Sequence, residues 1–354
     1  MKILYIINSL SVGGAEKMVI ELSREMSKHA NIHVLSLNSS NNEWYEKDLN
    51  NSEIKLIKWN CNFYNPLNAF KLINLLLEER YDVVHSHLTY AQFYGAIASY
   101  FVPHVCFVTT EHSSNNNRRN RKIFKYFDRW LYHRYRRVFS ISMTAKSELI
   151  KWLDIREKDC KFSVFPNAVN INFFSKSKSV ERANTGFSEN DFILMMVGRL
   201  ADAKDPTTIM RALVALPEKY KLILIGDGPC RHDFEQDAKK IGVEKRVFFI
   251  GTKKNISEWL KIADIYIQSS HWEGMPTALL EAMAAGILVI ASNVAGNKDV
   301  LPNDMLFKHE SSEDLVRLIL SDKKGWVQIQ QGIVQKYDMK FLAKELYNQY
   351  LHLL

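Results

Sequence analysis

Cysteine is scarce in this sequence of 354 residues. The four cysteines are Cys61, Cys106, Cys160 and Cys230. No two of them are close in the sequence, so they indicate neither a disulfide-stabilised domain nor a zinc site built on paired thiolates. Scattered cysteines are typical of a reducing compartment, and we therefore expect a cytoplasmic protein.

Long apolar runs are also lacking. The apolar run in the first residues is too short for a secretory signal peptide. The longest apolar region, residues 95–108, contains Pro103 and His104 and is too short to cross a bilayer as a helix. Neither an internal repeat nor a low-complexity segment is present. We therefore expect neither a secreted, nor a membrane-spanning, nor a repeat protein.

The sequence does contain enough apolar residues for two domains. Hydrophobic residues make up 47% of the chain and charged residues 24%, a balance typical of globular proteins. A length of 354 residues predicts two domains of ordinary size. The formal net charge of +8 predicts an anionic partner, such as a nucleotide, a phospholipid or a nucleic acid.

Apolar runs typical of buried parallel strands alternate with helical patterns along the chain. The run at 2–7 is followed by a polar loop with Gly13 and Gly14 and then by a helical pattern. The pattern restarts after Pro166 with the apolar run at 192–197. Such units predict an α/β fold of doubly wound domains, in which ligands bind at the loops that follow the strands.

The remaining elements are predicted in the same way. Further strands are expected at 32–37, 54–59, 82–87, 105–110, 138–143, 221–226, 246–251, 264–270 and 288–290. Further helices are expected at 66–79, 90–100, 118–137, 145–153, from about 206, at 311–320 and at 337–353. Thr144 is the expected N-cap of the helix at 145–153. Residues 292–299 have the composition of a loop, and His85 and His87 are expected on opposite faces of their strand.

Residues 271–286 carry two glutamates, Glu273 and Glu281, with seven residues between them. Gly274 permits a tight turn. Pro276 suits the first position of a helix, because its missing N–H has no partner there. We therefore expect Glu273 in a loop at the carboxyl end of a strand, and Glu281 about two turns into the following helix.

The start of this helix is a candidate anion site. The N–H groups of Met275, Thr277 and Ala278 would point out of the first turn, where phosphate groups bind well. A carboxylate, an anion cradle and a second carboxylate in this order match the sugar, diphosphate and ribose of a nucleotide sugar. Two glutamates on an exposed helix face are the alternative, which the spacing alone does not exclude.

Two more loops carry candidate phosphate ligands. Gly13 and Gly14 would let a phosphate approach the backbone, but a plain turn uses the same residues, and the full Gly-x-Gly-x-x-Gly fingerprint is missing. In the loop after 192–197, Arg199 offers a planar fork and Lys204 a point charge to phosphate oxygens.

Taken in order, the two glycines, the two cations and the two glutamates resemble the retaining GT-B glycosyltransferases of family 4, the glycosyl transferases group 1, of the type that builds bacterial surface polysaccharides. The resemblance spans nearly the whole chain. It implies two Rossmann-like domains with an interdomain cleft: an acceptor-side domain at 1–165 and a nucleotide-sugar domain at 166–335, with a last helix at 336–354 that returns to the first. The family usually has Asn-Gly at the hinge, where this chain has Asn167-Ala168.

The resemblance also implies roles for individual residues. Glu273 would hold hydroxyls of the donor sugar and Glu281 those of the ribose. His112, after a predicted strand, would lie beside the donor sugar, so that Glu273 and His112 form the catalytic centre. The residues implied to bind the donor are Gly13, Gly14, Arg199, Lys204, Thr252, Lys253, Gly274, Met275, Thr277 and Glu281.

The implied reaction transfers a sugar from a nucleotide diphosphate sugar, expected to be a UDP-sugar, to a hydroxyl with the anomeric configuration retained. No Asp-x-Asp motif lies between the domains, so no metal site is expected, and Arg199 and Lys204 would take over the metal's electrostatic task. Thr252 and Lys253 would lie near the base. No nucleophile is evident, which favours attack on the leaving-group side. The donor is a substrate, and no cofactor is expected.

Residues 118–137 carry nine lysines or arginines and a single acidic residue. Aromatic residues recur among them at helical spacing, which predicts a basic amphipathic helix at an anionic membrane surface. The cations expected to make this contact are Arg118, Arg119, Arg121 and Lys122. A solvated helix whose aromatic stripe packs into the core is the alternative. No nucleic-acid partner is expected, because no recognition motif accompanies the charge.

For the acceptor, the resemblance implies a polyprenyl-diphosphate-linked saccharide, as in capsule or lipopolysaccharide synthesis, and a peripheral position on the inner face of the cell membrane. Two alternatives remain open. One is a UDP-sugar 2-epimerase of the same GT-B fold, which needs no acceptor. The other is a non-catalytic subunit that binds a nucleotide sugar or a membrane.

Overall fold

The computed structural model of this chain describes residues 1–38, 45, 49, 53–113, 119, 121–156, 159–182 and 185–354. They form two compact units. The first unit is Met1–Ala168 together with Met339–Leu354, and the second is Val169–Asp338. Among the helices in these ranges, none is long and apolar enough to cross a bilayer.

Strands and helices alternate in both units. The strands are β1 (Lys2–Ile7), β2 (Asn31–Ser36), β3 (Lys55–Lys58), β4 (Val83–His87), β5 (Cys106–Glu111), β6 (Arg137–Ser140), β7 (Phe162–Val164), β8 (Phe192–Val197), β9 (Tyr220–Ile225), β10 (Val247–Gly251), β11 (Ile265–Gln268), β12 (Leu288–Ser292) and β13 (Leu306–Phe307). The helices are α1 (Gly14–Met26), α2 (Leu67–Glu79), α3 (Thr89–Ala98), α4 (Ile123–His133), α5 (Met143–Leu153), α6 (Ile171–Lys176), α7 (Pro206–Ala215), α8 (Arg231–Ile241), α9 (Ile256–Leu260), α10 (Thr277–Ala284), α11 (Ala295–Lys298), α12 (Ser312–Leu320), α13 (Trp326–Val334) and α14 (Met339–Leu353).

Each unit is built on one sheet whose neighbouring strands are parallel. The strand order is β3-β2-β1-β4-β5-β6-β7 in the first unit and β10-β9-β8-β11-β12-β13 in the second. In both sheets the order reverses beside the unit's first strand. The loops after β1 and β4, and those after β8 and β11, therefore lie side by side at the carboxyl edge, where doubly wound folds bind ligands.

The central strands are apolar throughout because helices cover both faces of each sheet. In β1, Leu4 and Ile6 pack against α2, α3, α4 and α5 on one face. The alternate residues Ile3, Tyr5 and Ile7 pack against α1 and α14 on the other face. All five are fully buried, so a single strand contributes side chains to two hydrophobic cores, one on each face of the sheet.

The predicted fold class is confirmed, since both units are α/β with parallel Rossmann-like sheets. Three local expectations are wrong. The N-cap of α5 is Ser142, whose Oγ accepts an N–H of the first turn at 3.1 Å, and Thr144 lies inside the helix. Part of the predicted loop at 292–299 is helix α11. His85 and His87 share one face of β4, with ring centroids 4.1 Å apart, because residues two apart on a strand point the same way.

Candidate functional site

Glu273 lies in the loop after β11, as predicted, and its side chain is held by a dense set of donors. The residue is only 9% exposed. Its Oε1 accepts from Lys204 Nζ at 2.6 Å, from Ser270 Oγ at 2.6 Å and from Gln268 Nε2 at 2.5 Å. Hydrogen bonds to an ionised group are stronger than neutral ones, so the position of this carboxylate is firmly fixed.

Strand β11 and its extension place these donors on one face. Tyr266, Gln268 and Ser270 alternate along β11 and its extension, so they share one face. Tyr266 Oη lies 2.6 Å from Gln268 Oε1, and Gln268 Nε2 lies 2.7 Å from Ser270 Oγ. Burial raises the pKa of Tyr266 well above its usual value, and the charges of Glu273 and Glu281 raise it further. The tyrosine therefore stays a neutral donor to Gln268.

Lys204 reaches Glu273 from the neighbouring loop, after β8. It ends the 3₁₀ turn Asp202–Lys204, and its stem passes 3.5 Å from where a Cβ on Gly198 would lie. Ser269 Oγ donates to the backbone oxygen of Asp205 at 2.7 Å, which joins the two loops. The structure therefore brings together one predicted diphosphate ligand and one predicted sugar ligand, which are 69 residues apart in sequence.

Arg199 differs from Lys204. Its side chain is exposed, and within the described residues its guanidinium has no hydrogen-bond or ion-pair partner. Lys204 is already paired, so an incoming anion would meet Arg199 as the available cation of this loop.

The first turn of α10 is open as an anion site. Pro276 was predicted to be the first helical residue, but it is the N-cap. No side chain caps the helix. The N–H groups of Thr277 and Ala278 have no acceptor among the described residues. Met275, the third residue predicted at this cradle, is buried. Gly274 does not adopt the positive φ that would require glycine.

Glu281 is the fifth residue of α10, just over one turn in, and not two turns in as expected. It is 5% exposed. Its negative charge, like that of Glu273, raises the pKa of Tyr266.

Thr252 and Lys253 are not part of this cluster. They follow β10, which is separated from β11 by β9 and β8, a distance of about 14 Å at the usual strand spacing. Thr252 is exposed, and Lys253 Nζ lies 5.6 Å from the ring centre of Trp259. Their predicted place near the base requires a ligand that spans this edge of the sheet.

In the first unit, Gly13 is the N-cap of α1 and Gly14 is its first residue. A Cβ on Gly13 would lie 2.1 Å from Glu16 Oε2, so the Glu16 carboxylate folds over the helix start. Burial raises the pKa of Glu16, and a backbone hydrogen bond opposes this effect. No role was assigned to Glu16 from the sequence. A negative group at this position occupies the place where a phosphate would bind.

His112 follows β5 and is half-buried, with Nε2 2.9 Å from His87 Nδ1. Burial lowers the pKa of His112 to about 4. The pKa of His87 is held well below its usual value by burial and by its histidine neighbours. Both rings are therefore neutral near pH 7, and the fully enclosed His87 fixes the orientation of His112.

The predicted basic helix at 118–137 ends earlier than expected, because α4 ends at His133 and β6 begins at Arg137. Arg118 lies outside the described residues. Arg119 was predicted to face solvent, but it does not: its side chain is only 13% exposed, and its Nη2 lies 3.5 Å from Glu111 Oε2. Arg121 and Lys122 are exposed.

The aromatic stripe of this segment packs inward. Leu131 and Tyr135 belong to the buried core, and Phe127 and Trp130 pack against it. This matches the alternative of a helix whose stripe covers the core. Two apolar side chains remain outside it, Ile123 at 72% and Tyr126 at 73% exposure, beside Arg121 and Lys122.

Two family profiles together match most of the chain. Residues 12–173 match the family described as Glycosyltransferase Family 4. Residues 177–325 match the family described as Glycosyl transferases group 1. The two matches cover the first and the second structural unit in turn.

Among curated proteins, one relative from Escherichia coli is described as UDP-Gal:alpha-D-GlcNAc-diphosphoundecaprenol alpha-1,3-galactosyltransferase. It is 29% identical over 253 residues, which are 67% of this chain and 64% of the relative. A Campylobacter jejuni relative is described as GalNAc-alpha-(1->4)-GalNAc-alpha-(1->3)-diNAcBac-PP-undecaprenol alpha-1,4-N-acetyl-D-galactosaminyltransferase. It is 24% identical over 317 residues, which are 86% of this chain and 83% of the relative.

Solved structures of similar fold cover the whole chain. Anabaena HepE in complex with UDP and glucose has a TM-score of 0.85 at 22% identity, over 99% of both chains. The apo form of the lipopolysaccharide outer core galactosyltransferase WaaB has a TM-score of 0.70 at 20% identity, over 100% of both chains. These likenesses show the GT-B fold.

Proposed function

We propose that this chain, which belongs to glycosyltransferase family 4, the glycosyl transferases group 1, moves a hexosyl group from a UDP-sugar to a hydroxyl of a polyprenyl-diphosphate-linked saccharide. Its family makes it a retaining glycosyltransferase of the GT-B fold. The observation that carries this proposal is the Lys204–Glu273 pair beside the open first turn of α10. The E. coli relative, whose name includes both a UDP-sugar and a diphosphoundecaprenol acceptor, supports it.

In the proposed complex, Arg199, Lys204 and the N–H groups of Thr277 and Ala278 bind the diphosphate. Glu273 accepts hydrogen bonds from hydroxyls of the donor sugar. Glu281 does the same for the ribose, and Thr252 and Lys253 lie near the base. Fixed donors aimed at the developing charge are usually the largest contribution to catalysis. Arg199, Lys204 and the two N–H groups are such fixed donors, and they act without a metal ion.

The proposed chemical step breaks the bond between the anomeric carbon and the diphosphate oxygen while the acceptor hydroxyl attacks the same face of the sugar. The acceptor proton passes to an oxygen of the leaving phosphate, so the products are the extended saccharide and UDP. Arg199 and Lys204 stabilise the charge that builds up on the leaving group. Isolation of a covalent glycosyl-enzyme adduct would contradict this route.

The test is a binding and turnover screen of the purified chain against UDP-, GDP- and ADP-sugars in the presence of a chelator. We expect saturable binding of one UDP-sugar and its slow hydrolysis. Binding of no donor would exclude the proposal and leave the non-catalytic subunit. Conversion of the donor into its 2-epimer without an acceptor would identify the epimerase instead.

His112 is proposed to lie beside the donor sugar, and His87 to act as its positioning residue. We expect His112→Ala to lower kcat by about 100-fold, as loss of one group that contacts the reacting centre does. His87→Ala should lower kcat by about 10-fold with little change in the donor KM, because a misplaced group costs rate more than binding. His87→Asn, which keeps a polar group near the Nδ1 position, should recover most of the rate.

The control for the histidine pair is His232→Ala, an exposed histidine on α8 of the second unit, which should leave kcat unchanged. If His87→Ala raised the donor KM as strongly as it lowered kcat, or if His87→Asn gave no recovery, a positioning role would be excluded.

We further propose that the protein contacts the inner face of the cell membrane through the first turn of α4. Arg121 and Lys122 supply positive charge there, and Ile123 and Tyr126 supply exposed apolar side chains. α4 contacts α3, and α3 contacts α2. The first turn of α2 carries exposed Leu67 and Phe70, at 57% and 60%, so apolar side chains continue along this helical layer.

Vesicle binding tests this surface. Reversing both charges in Arg121→Glu/Lys122→Glu should weaken binding to vesicles with anionic lipid by about 30-fold or more, since each basic residue contributes about 1 kcal/mol. The matched control is Lys239→Glu/Lys240→Glu, which changes the charge equally on the exposed side of α8. Equal losses in both variants would show that only net charge matters and would rule out this surface.

A further inference from the structure

Two loops of the second unit bring a pair of imidazoles and a carboxylate together. His271 follows β11, and His309 and Glu310 follow β13. β12 lies between these strands, so both loops emerge at the same edge of the parallel sheet. Among the residues that the structure describes, these three form the one group of histidine, cysteine, aspartate or glutamate side chains with the spacing of metal ligands.

The distances within the group are those of a coordination triangle. His271 Nδ1 lies 2.9 Å from His309 Nε2 and 3.3 Å from Glu310 Oε1. His309 Nε2 lies 3.9 Å from the same Glu310 oxygen. The nearest point that is equidistant from these three atoms lies in their plane, about 2.0 Å from each. The usual length of zinc–imidazole and zinc–carboxylate bonds is about 2.0–2.2 Å, so an ion at or just above this plane is within bonding distance of all three.

We propose that His271, His309 and Glu310 bind a divalent transition metal ion of the zinc type. Two imidazoles and one carboxylate are ligands that zinc accepts, with the fourth position open. The side chains of His271, His309 and Glu310 are 21%, 35% and 61% exposed, so an ion can reach them from solvent. This site lies outside the residues assigned to the donor and is independent of the proposed transfer reaction.

Without metal, the same atoms form a hydrogen-bonded imidazole pair, in which one ring nitrogen carries the bridging proton. Metal binding needs the lone pairs of both nitrogens, so the bridging proton moves to the other nitrogen of the same imidazole when the ion enters. The Glu310 carboxylate then balances part of the ion's charge.

The site is connected to the loop that carries Glu273. The backbone N–H of His271 donates to Ala203 O at 2.8 Å, in the turn that ends with Lys204. Trp272 follows His271, is 49% exposed, and has its ring centre 6.0 Å from that of the imidazole. An ion on His271 is therefore close to a natural fluorophore.

The test is a titration of the tag-free, chelator-treated full chain with Zn²⁺ by calorimetry, and with Cu²⁺ by tryptophan fluorescence. We expect one equivalent of Zn²⁺ to bind and Cu²⁺ to quench the emission that Trp272→Phe removes. His309→Ala and Glu310→Gln should each weaken binding by more than about 10-fold, because even outer-shell partners of a metal contribute 10- to 100-fold. The control His232→Ala removes an exposed histidine of the same unit and should bind as the parent does.

Circular dichroism and thermal unfolding without metal identify any variant that fails to fold. If His309→Ala misfolds, Glu310→Gln still tests the site, because it preserves the side-chain shape. The proposal is overturned if the parent chain binds no Zn²⁺ at about 100 μM, which corresponds to less than about 5.5 kcal/mol. It is also overturned if a folded His309→Ala or Glu310→Gln binds as tightly as the parent. None of these readouts uses the sugar donor, so the outcome does not depend on the proposed activity.

Discussion

Lys204→Ala is expected to lower kcat/KM for the UDP-sugar by about 100- to 1000-fold, the cost of removing one fixed donor at a developing oxyanion. Two physical effects combine. The leaving diphosphate loses a cation, and the buried Glu273 carboxylate, now without its ammonium partner at 2.6 Å, repels the donor. Glu273→Gln should also be strongly impaired, because an amide is a poorer acceptor for sugar hydroxyls than a carboxylate.

The double variant Lys204→Ala/Glu273→Gln separates the effect on turnover from the effect on the free energy of unfolding. Lys204→Ala alone should lower the free energy of unfolding by about 2 kcal/mol. This is less than the 3–5 kcal/mol for breaking a fully buried pair, because Ser270 and Gln268 still donate to Glu273. Adding Glu273→Gln removes the unpaired charge and should restore most of that loss, but not the activity.

The measurements are steady-state donor turnover and urea unfolding of the parent, both single variants and the double variant. Lys240→Ala, which removes a lysine 4.0 Å from Asp237 on the exposed side of α8, serves as the control and should leave both quantities unchanged. Parent-like turnover in Lys204→Ala would rule out its proposed role at the diphosphate.

Gly226→Ala is expected to destabilise the second unit by about 3–5 kcal/mol, or to prevent folding. Gly226 follows β9 with φ 137°, where a side chain is strained at about 1–3 kcal/mol. Its added Cβ would lie 1.9 Å from the carbonyl oxygen of Gly198, at the end of β8. Backbone cannot move away as a flexible side chain can, and overpacking costs a further 1–3 kcal/mol or so.

Gly242→Ala is the matched control for Gly226. It also has a positive φ, 82°, at the end of α8, but its added Cβ meets nothing within 4 Å. We expect this variant to lose only about 1–2 kcal/mol, the conformational cost alone. The free energy of unfolding from urea denaturation measures both variants. Equal losses would show that the close approach to Gly198 contributes nothing.

The sequence predicted the fold class because parallel strands covered on both faces must be apolar throughout. The run at 192–197 coincides with β8, and the run at 2–7 with β1. Local chemistry also placed Glu273 correctly in a loop after a strand. It was less reliable at helix starts, where one residue decides the result: Ser142 caps α5 in place of Thr144, and Pro276 precedes α10.

Gln268 and Ser270 were not predicted as partners of Glu273. A signal was present, because they are polar positions on one face at the end of an apolar strand. For Arg119 no local signal existed. Its charge and position in a basic run predicted a solvent-facing side chain, but the chain turns it toward Glu111 at the end of β5.

The sequence by itself determined the parallel α/β units, the order of their loops and the residue types that could bind phosphate and sugar. Periodicity and turn chemistry are properties of neighbouring residues, so they can be recognised in a single chain. Only the tertiary structure decided which distant side chains meet: Lys204 with Glu273, His87 with His112, and His271 with His309. These contacts depend on the order in which strands lie in a sheet, and that order results from packing both faces of the whole sheet, which no local stretch of sequence specifies.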